Sequence, residues 1–256
     1  MTAITSRDNP RVRRWRELMD DARARRKAKR ALIEGEHLVS AFVESGKRIE
    51  ELILSKSGAA RFEVLAGKTG KPPLVLSDAV FRSMVDVESP SGIAAEISIP
   101  DAAVALGGAA SCVFLDAIQD AGNVGTILRS AGAFCIGHAV LGAGCADAWS
   151  PKVLRAGMGA HFAMEVLEGD LADAIAAFGG RLACTVPRGG VPIARADLSG
   201  RMGWLFGAEG QGVNDALAAR AELKVSIPMP GGAESLNVAA AAAICFYECA
   251  RRRSTA

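Results

Sequence analysis

The chain has 256 residues, of which half are hydrophobic and 23% are charged, and its formal net charge at pH 7 is +2. This length is sufficient for two modest domains with separate cores. The longest apolar run, Val238 to Tyr247, is well short of the roughly 20 residues that cross a bilayer. The polar N-terminus, Thr2 to Pro10, lacks the apolar segment of a secretory signal. We therefore expect a globular cytoplasmic protein with no membrane partner.

The cysteines and histidines do not form a metal-binding pattern. No C-x-x-C pair is present, and the histidines are scattered among the cysteines, so no zinc spacing can be assembled. We expect no bound metal, and reduced thiols that pack as small buried apolar residues. The residues concerned are Cys112, Cys135, Cys145, Cys184, Cys245, Cys249, His37, His138 and His161.

The first predicted element is a basic helix that starts at Asn9 and Pro10, a plausible cap and first helical residue. Four apolar residues recur along it at helical spacing, namely Val12, Trp15, Leu18 and Met19. The first 30 residues hold 11 of the 30 Lys and Arg but only 4 of the 28 Asp and Glu. The block RARRKAKR (23–30) is either a solvated helix face or a contact for a phosphate-rich polymer. The candidate RNA contacts are Arg23, Arg25, Arg26 and Lys27.

Strands and helices alternate after this basic helix. Four apolar segments have the character of strands, namely ALIEG (31–35), ELILS (51–55), PLVLS (73–77) and GIAAEISIP (92–100). Helical patterns separate them around 36–45, 58–66 and 78–85. This alternation predicts a small, mainly parallel α/β unit over residues 1–100. A proline and a glycine pair then interrupt the pattern, so we place a linker at residues 101–110.

A second α/β domain is expected over residues 111–256. Its nearly continuous apolar strands are typical of a parallel sheet that is covered on both faces. The predicted strands are CVFLDA (112–117), HAVLGA (138–143), RLACTV (181–186), WLFGAE (204–209) and LKVSIPM (223–229). Helices are predicted over 123–134, over 151–157 and from about Ser235 onward.

Two glycine-rich loops follow these strands, and neither is a complete nucleotide fingerprint. VLGAGCAD (140–147) begins with G-x-G, yet Asp147 stands where a dinucleotide-binding loop needs its third small residue. LFGAEGQGV (205–213) lacks the lysine of a phosphate loop. It carries Glu209 at the end of a strand, where parallel sheets bind ligands. Because this loop has few side chains, its backbone is exposed and can hydrogen-bond an adenine edge.

Two further segments carry polar residues at the ends of helices. In LDAIQDAGNVGTILRSAGAF (115–134), Asn123 is a candidate helix cap. Arg129 lies off the apolar stripe of the same helix, and an arginine in that position is usually a surface residue. In IPMPGGAESLNV, Ser235 and Asn237 precede a helix of alanines, which allows close approach of another element.

Taken in order, NVGTILRSAGAF, LFGAEGQGV and IPMPGGAESLNVAAAAAICFYE closely resemble the three motifs of the SpoU (TrmH-type) branch of the SPOUT RNA ribose 2′-O-methyltransferases. Three ordered motifs make this resemblance highly specific, and it extends from the linker to the C-terminus. The stretch from Ile4 to Val39 is also similar to the ribosomal-protein-like α/β domain that binds RNA in such enzymes.

The resemblance implies a deep trefoil knot, a homodimer and a bound S-adenosylmethionine (SAM). It places the cofactor contacts, largely through backbone atoms, on Gly207, Ile227 and Leu236. It places the residues on the substrate side at Asn123, Arg129, Glu209, Ser235 and Asn237. Ribosomal RNA is the expected substrate in preference to tRNA, because a separate N-terminal domain of this kind more often accompanies ribosomal substrates.

Arg129 is the residue that the resemblance assigns to activation of the ribose hydroxyl. Because a free arginine stays protonated, we expect its guanidinium to hold the adjoining phosphate and to stabilise developing alkoxide charge. We expect Glu209 to orient that guanidinium. The departures from the family pattern at Cys135, Gly137 and Gly157 leave the substrate details open.

Two other classes of protein fit the sequence less well. A catalytically silent RNA-binding assembly factor on the same fold has no need of the five substrate-side residues together. A Rossmann-type enzyme requires a glycine fingerprint that the sequence lacks.

Overall fold

The computed structural model describes residues 3–100 and 106–253, and these divide into two compact units. The first unit consists of the described residues up to 100 together with Trp149–Phe162. The second consists of the described residues in 106–148 and 163–253. The predicted linker falls partly outside the described residues. Trp149–Phe162 was expected in the second domain and groups with the first unit instead.

The N-terminal elements follow the predicted alternation. Their helices are α1 (Pro10–Asp20), α2 (Ala22–Ala28), α3 (Glu36–Glu44), α4 (Lys56–Arg61), α5 (Glu63–Lys68) and α6 (Asp78–Met84). Their strands are β1 (Arg30–Glu34), β2 (Glu51–Ser55), β3 (Leu74–Leu76) and β4 (Ile93–Ser98). The helix predicted around 58–66 is two short helices, since the backbone of Phe62 leaves the helical conformation between them.

Helix α1 begins as predicted. The side chain of Asn9 accepts a hydrogen bond from the backbone N–H of Arg11, and Pro10 occupies the first turn. The predicted apolar stripe is buried in the core of the first unit, beside Phe81 of α6. Local spacing alone therefore identified both the start and the buried face of this helix.

The sheet of the first unit is mixed, so the prediction of a mainly parallel unit is wrong. The strand order is β1-β4-β2-β3, and β4 runs antiparallel to both of its neighbours. Of the described strands in this sheet, only β2 and β3 pair in parallel. Four of the five residues in the buried run Ile93–Ile97 of β4 are apolar, the exception being Glu96, and such a pattern does not record strand direction.

The later elements complete both units. The helices are α7 (Ala121–Ala133), α8 (Pro151–Gly157), α9 (Leu171–Phe178), α10 (Asp215–Ala218) and α11 (Val238–Arg253). The strands are β5 (Cys112–Asp116), β6 (His138–Leu141), β7 (Glu165–Glu168), β8 (Arg181–Thr185), β9 (Val191–Pro192), β10 (Met202–Gly207) and β11 (Leu223–Ser226). Of these, α9, α10, β7 and β9 were not predicted.

Helix α8 packs within the first unit. The rings of Phe42 and Phe162 meet edge to face with centroids 5.0 Å apart. A ring nitrogen of His37 lies 3.3 Å from the carbonyl oxygen of Met158. Val153 and Leu154 of α8 are also buried. The segment from Trp149 to Phe162 is therefore part of the packing of this unit.

The sheet of the second unit is parallel, as predicted. Its order is β7-β6-β5-β10-β8-β11-β9, and each described pair of neighbours is parallel. Strand β10 lies between β5 and β8, so the chain returns to the centre of the sheet after placing strands on both sides of it. Ligands bind at such reversals of strand order, beyond the carboxyl ends of the strands.

Two helices that flank this edge start at different residues from those expected. The cap of α7 is Asp120, whose side chain accepts from the backbone N–H of Asn123, so Asn123 lies inside the first turn. Helix α11 begins at Val238 rather than near Ser235. The preceding segment, residues 231–237, is exposed and non-helical.

Candidate functional site

A cavity of about 640 Å³ lies at the carboxyl edge of the parallel sheet in the second unit. Three loops build it, and they follow β8, β10 and β11. Its lining residues are Thr185, Val186, Pro187, Gly207, Ala208, Glu209, Gly210, Gly212, Val213, Ile227, Met229, Glu234, Ser235, Leu236, Asn237, Val238 and Ala241. The three predicted cofactor residues are all in this lining, with Glu209, Ser235 and Asn237.

The loop after β10 is a tight turn that only glycine permits. A Cβ atom at Gly207 would lie 2.1 Å from the carbonyl carbon and oxygen of Gly212, so a larger residue does not fit. Gly210 and Gly212 have positive φ angles of 86° and 71°. The N–H of Gly212 donates to the carbonyl of Ala208 at 2.9 Å and closes the turn. Glu209 is therefore presented from a closed backbone turn.

Asp116 fastens the far end of this turn. The backbone N–H of Asn214 donates to the carboxylate of Asp116 at the end of β5, with an N···O distance of 2.8 Å. The side chain of Asn214 in turn caps α10. Neighbouring strands thus hold the loop at both ends.

Glu209 is held by two side-chain amides from different motifs. The Nδ2 atoms of Asn123 and Asn237 donate to Oε1 of Glu209 at 2.8 and 3.0 Å. Nδ2 of Asn237 also donates to Oδ1 of Asn123 at 3.0 Å. The three motifs identified in the sequence therefore converge in one cluster, which we call the Asn–Glu–Asn cluster.

Asn237 also starts helix α11. Its Oδ1 accepts the backbone N–H groups of Ala239 and Ala240 at 2.9 and 3.2 Å. One side chain therefore uses its oxygen as a helix cap and its nitrogen to hold Glu209. The geometry of the cluster is tied to the start of the helix.

Arg129 lies apart from this cavity. It is exposed on α7, six positions beyond Asn123, which corresponds to about 9 Å along a helix axis. Within the residues that the structure describes, neither a lysine nor an arginine lines the cavity, whereas Glu209 and Glu234 do. Among the described residues, the side chain of Glu209 is hydrogen-bonded to the two asparagines and forms no ion pair with Arg129 of the same chain.

Several lining residues were not among the predicted site residues. Thr185, Val186 and Pro187 come from the end of β8, and Met229 and Glu234 come from the loop before α11. The available signal was the Pro and Gly run in TVPRGG, which resembles the loops after β10 and β11 in following a buried strand. Of that run, Thr185, Val186 and Pro187 line the cavity, and none of these three side chains is ionisable.

The predicted RNA contacts in the first unit differ in exposure. Arg23, Arg26 and Lys27 are exposed on α2. Arg25 is buried, with 4% of its surface accessible, and its guanidinium donates to the carbonyls of Leu18 and Met19. Its prediction as an RNA contact is therefore at odds with the structure, because this side chain satisfies the last carbonyls of α1.

Four of the six thiols are buried as expected, and one, that of Cys135, is exposed. The buried residues are Cys112, Cys184, Cys245 and Cys249. Burial raises the pKa of the Cys112 and Cys245 thiols well above the ordinary value.

In residues 3–100 and 106–253 there is no cluster of His, Cys, Asp or Glu suited to a metal ion. No helix in that same part of the chain has the length and apolarity to span a bilayer.

Comparison with family models gives two matches that divide the chain. Residues 110–247 match the SpoU rRNA Methylase family. Residues 9–95 match the MRM3-like substrate binding domain. The first match contains every lining residue of the cavity, and the second contains the basic helices α1 and α2.

Individual proteins resemble the chain over nearly its whole length. The 23S rRNA (guanosine(2553)-2′-O)-methyltransferase RlmP of Bacillus subtilis is 35% identical over 250 residues, which cover 96% of this chain and 98% of RlmP. A SAM-bound rRNA methyltransferase from Sinorhizobium meliloti has a TM-score of 0.85 at 26% identity, covering 98% of both chains. The SpoU methyltransferase AviRb of Streptomyces viridochromogenes, also with SAM, has a TM-score of 0.83 at 25% identity, covering 96% of this chain and 99% of AviRb.

Proposed function

The chain belongs to the SpoU rRNA methylase family and is a SAM-dependent RNA methyltransferase, and from that premise we propose that it methylates a ribose 2′-hydroxyl of ribosomal RNA. The observation that carries the proposal is the Asn–Glu–Asn cluster at the cavity that Gly207, Ile227 and Leu236 line. The N-terminal match to a substrate-binding domain supports a structured RNA as the substrate.

The cavity has the properties that a cofactor such as SAM requires. Its volume of about 640 Å³ lies within the range of about 300–1,000 Å³ that is usual for small-molecule sites. Its loops present backbone groups with few side chains, which suits hydrogen bonding to an adenine edge. Its ionisable lining residues are the carboxylates Glu209 and Glu234, and these favour a ligand with net positive charge.

The residues of the chain contribute mainly position and charge. When bound, SAM supplies an electrophilic methyl group on a positively charged sulfur. The loops at Gly207, Ile227 and Leu236 hold the cofactor, and Ser235 and Asn237 orient the ribose beside it. Methyl transfer requires an in-line approach of the hydroxyl oxygen, so this positioning is expected to lower the barrier by several kcal/mol.

Arg129 is the proposed source of the positive charge. Its guanidinium remains protonated, so it serves to hold the phosphate next to the reacting ribose and to stabilise the developing alkoxide. Because Arg129 is exposed on α7 and is not in the lining of its own cavity, we place it in the cavity of a second copy of the chain. The site is then complete only in a homodimer.

An apolar face on α11, beside the end of α7, supports that homodimer. Ile244 and Tyr247 of α11 are 38% and 55% exposed, although both are large apolar residues. Tyr247 packs edge to face on Phe134, which directly follows α7. Burial of such a face between two copies is favourable because it removes apolar surface from water. The trefoil knot implied by the motifs remains a prediction, as do the domain boundaries.

Mapping of ribose methylation in total RNA from cells with and without the gene tests the function. We expect one 2′-O-methyl group to be lost from ribosomal RNA. Loss from tRNA alone contradicts the proposed substrate. Unchanged methylation, together with a purified protein that does not bind SAM by calorimetry, favours the silent RNA-binding factor. Sedimentation of a stable monomer at micromolar concentration with SAM bound contradicts the homodimer.

A further inference from the structure

We infer that Glu234 sets the preference of the cavity for the positively charged methyl donor over its demethylated product. Glu234 therefore acts as a specificity-determining residue. The inference rests on the proposed function, since SAM is the ligand concerned. It assigns a role to a lining residue that carries no part of the methyl-transfer chemistry described above.

Glu234 is the carboxylate of the cavity that the protein leaves available. It lies on the exposed segment between β11 and α11, with Ser235 and Leu236 beside it in the lining. Within the described residues Glu234 has neither an ion-pair nor a hydrogen-bond partner. Glu209, by contrast, has Oε1 bonded to two amides. Glu234 thus retains both oxygens for a ligand.

Within one chain, no basic lining residue among those described offsets Glu234. Across the described residues, the lining contains Glu209 and Glu234 but neither lysine nor arginine. The carboxylate of Glu234 therefore adds an attraction for a positively charged ligand that a neutral ligand does not feel. The Arg129 that we place here from a second copy is the same with either ligand and in every Glu234 variant, so it does not change this difference. This attraction acts over several ångströms and does not require a direct contact with Glu234.

The donor and the product differ by one positive charge. SAM carries a carboxylate, an ammonium and a sulfonium, for a net charge of +1, and S-adenosylhomocysteine lacks the sulfonium charge. In the transfer, the sulfur–methyl bond breaks and its electron pair stays on sulfur. A methyl–oxygen bond forms on the ribose, and the hydroxyl proton passes to water. The ammonium is common to both ligands, so only the sulfonium distinguishes them.

The size of the preference follows from Coulomb's law. A carboxylate about 6 Å from a unit charge, at an effective dielectric constant between about 40 and 80, changes affinity by about three- to tenfold. Because Glu234 is exposed, the higher dielectric values apply and salt screens the effect. The cavity then releases the neutral product more readily than the donor, which assists exchange between turnovers.

Calorimetric titration of the full chain tests the inference with three ligands. These are SAM, S-adenosylhomocysteine and sinefungin, in which an amine replaces the methylated sulfur and keeps the positive charge. In Glu234→Gln we expect the affinity for SAM and for sinefungin to fall by about threefold at low salt. The affinity for S-adenosylhomocysteine should change by less than about twofold, because that ligand has no net charge to attract.

Two matched variants complete the experiment. Glu234→Asp keeps the charge and should retain most of the preference for SAM. Glu222→Gln removes an exposed carboxylate at the opposite end of β11, outside the cavity lining, and should leave all three affinities unchanged. The SAM preference of the unaltered protein should also decrease as salt is raised.

The outcomes separate this inference from the proposed function. An equal loss of affinity for all three ligands in Glu234→Gln overturns the inference, because it indicates a contact with the shared ammonium or a change in the loop. Unchanged affinities overturn it as well. In both cases binding of SAM by the unaltered protein leaves the proposed function standing. An unaltered protein that binds neither SAM nor sinefungin contradicts the proposed function, and the inference fails with it.

Discussion

Asn237 donates a hydrogen bond to Glu209 with the nitrogen of the same side chain whose oxygen caps helix α11. The two functions are separable by substitution, because aspartate keeps the capping oxygen and loses the amide donor. In Asn237→Asp we expect the helix to remain capped, while a second carboxylate repels Glu209. Turnover should fall at least tenfold with little change in thermal stability.

Asn237→Ala removes both functions of that side chain. We expect it to lose turnover and about 1 kcal/mol of the free energy of unfolding, measured by urea denaturation. Asp170→Ala is the matched control, since Asp170 caps α9 through Ala172 and Asp173 and lies outside the cavity lining. It should lose similar stability and keep its turnover. Full activity in Asn237→Asp contradicts a role for the amide donor.

Substitution of Arg129 should separate cofactor binding from methyl transfer. Because the cofactor contacts are assigned largely to backbone atoms at Gly207, Ile227 and Leu236, Arg129→Ala should bind SAM with nearly unchanged affinity in calorimetry. Its single-turnover rate on the cognate RNA should fall by about 100-fold or more, since the guanidinium acts mainly in the transition state. Arg129→Lys should recover little, because an ammonium lacks the planar fork that bridges two oxygens. Near-normal turnover in Arg129→Ala contradicts the assignment.

Mixed dimers test whether Arg129 acts in the partner's cavity. One protomer carries Arg129→Ala and the other carries Glu209→Gln, and each variant alone is expected to be inactive. If Arg129 acts across the interface, one cavity of the mixed dimer combines an intact Glu209 with an intact Arg129. Co-purified mixed dimers should then recover about half of the activity. An inactive mixed dimer indicates instead that Arg129 acts within its own chain.

The basic surface of α2 should contribute to RNA affinity through charge. We expect the triple substitution of Arg23, Arg26 and Lys27 by glutamine to weaken RNA binding and to flatten its dependence on salt, leaving SAM affinity unchanged. Arg25→Ala should instead lower the free energy of unfolding by about 1–3 kcal/mol, since it leaves the carbonyls of Leu18 and Met19 without their donor. Unchanged RNA affinity of the triple variant across a salt titration supports a solvated helix face.

The end of α11 should show a pH-dependent contribution to stability. Hydrogen bonds from Arg251, and then Arg252, lower the pKa of Glu248 from 4.5 to about 2, although burial opposes the shift. A lowered pKa in the folded state means that the stabilisation is complete above the unfolded pKa and is lost as pH falls toward 2. Glu248→Gln should therefore be less stable than the unaltered protein above about pH 5, and the difference should vanish near pH 2. A constant difference in urea unfolding across that range contradicts the ion pair.

Features determined by neighbours in sequence were predictable. The apolar stripe of α1, its cap at Asn9 and the strands around the cavity follow from local spacing. The start of α11 was misplaced because the capping role of Asn237 is coupled to Glu209, which is distant in sequence. The ordered motifs identified the residues of the site, whereas the hydrogen bonds between those residues are visible only in the folded structure.

Strand direction and burial of charge depend on contacts that the sequence does not display. The direction of β4 was not predictable, because a buried and mostly apolar strand has the same pattern in a parallel or an antiparallel pairing. The burial of Arg25 was not predictable, although its neighbours in sequence are exposed as expected. Its hydrogen-bond partners are backbone carbonyls at the end of α1, and every residue type carries such a group, so the sequence does not distinguish them. The loop after β8 was missed because its lining residues have no chemically distinctive side chains.

The packing of Trp149–Phe162 within the first unit delays the folding of that unit during synthesis on the ribosome. Phe42 meets Phe162, so the N-terminal unit cannot complete its core until more than 160 residues have been synthesised. A truncated protein that starts at residue 106 would retain Val153, Leu154 and Phe162 without the surroundings that bury them. Such a fragment is expected to aggregate. Limited proteolysis is expected to yield a catalytic fragment that does not aggregate only if cleavage also removes residues 149–162.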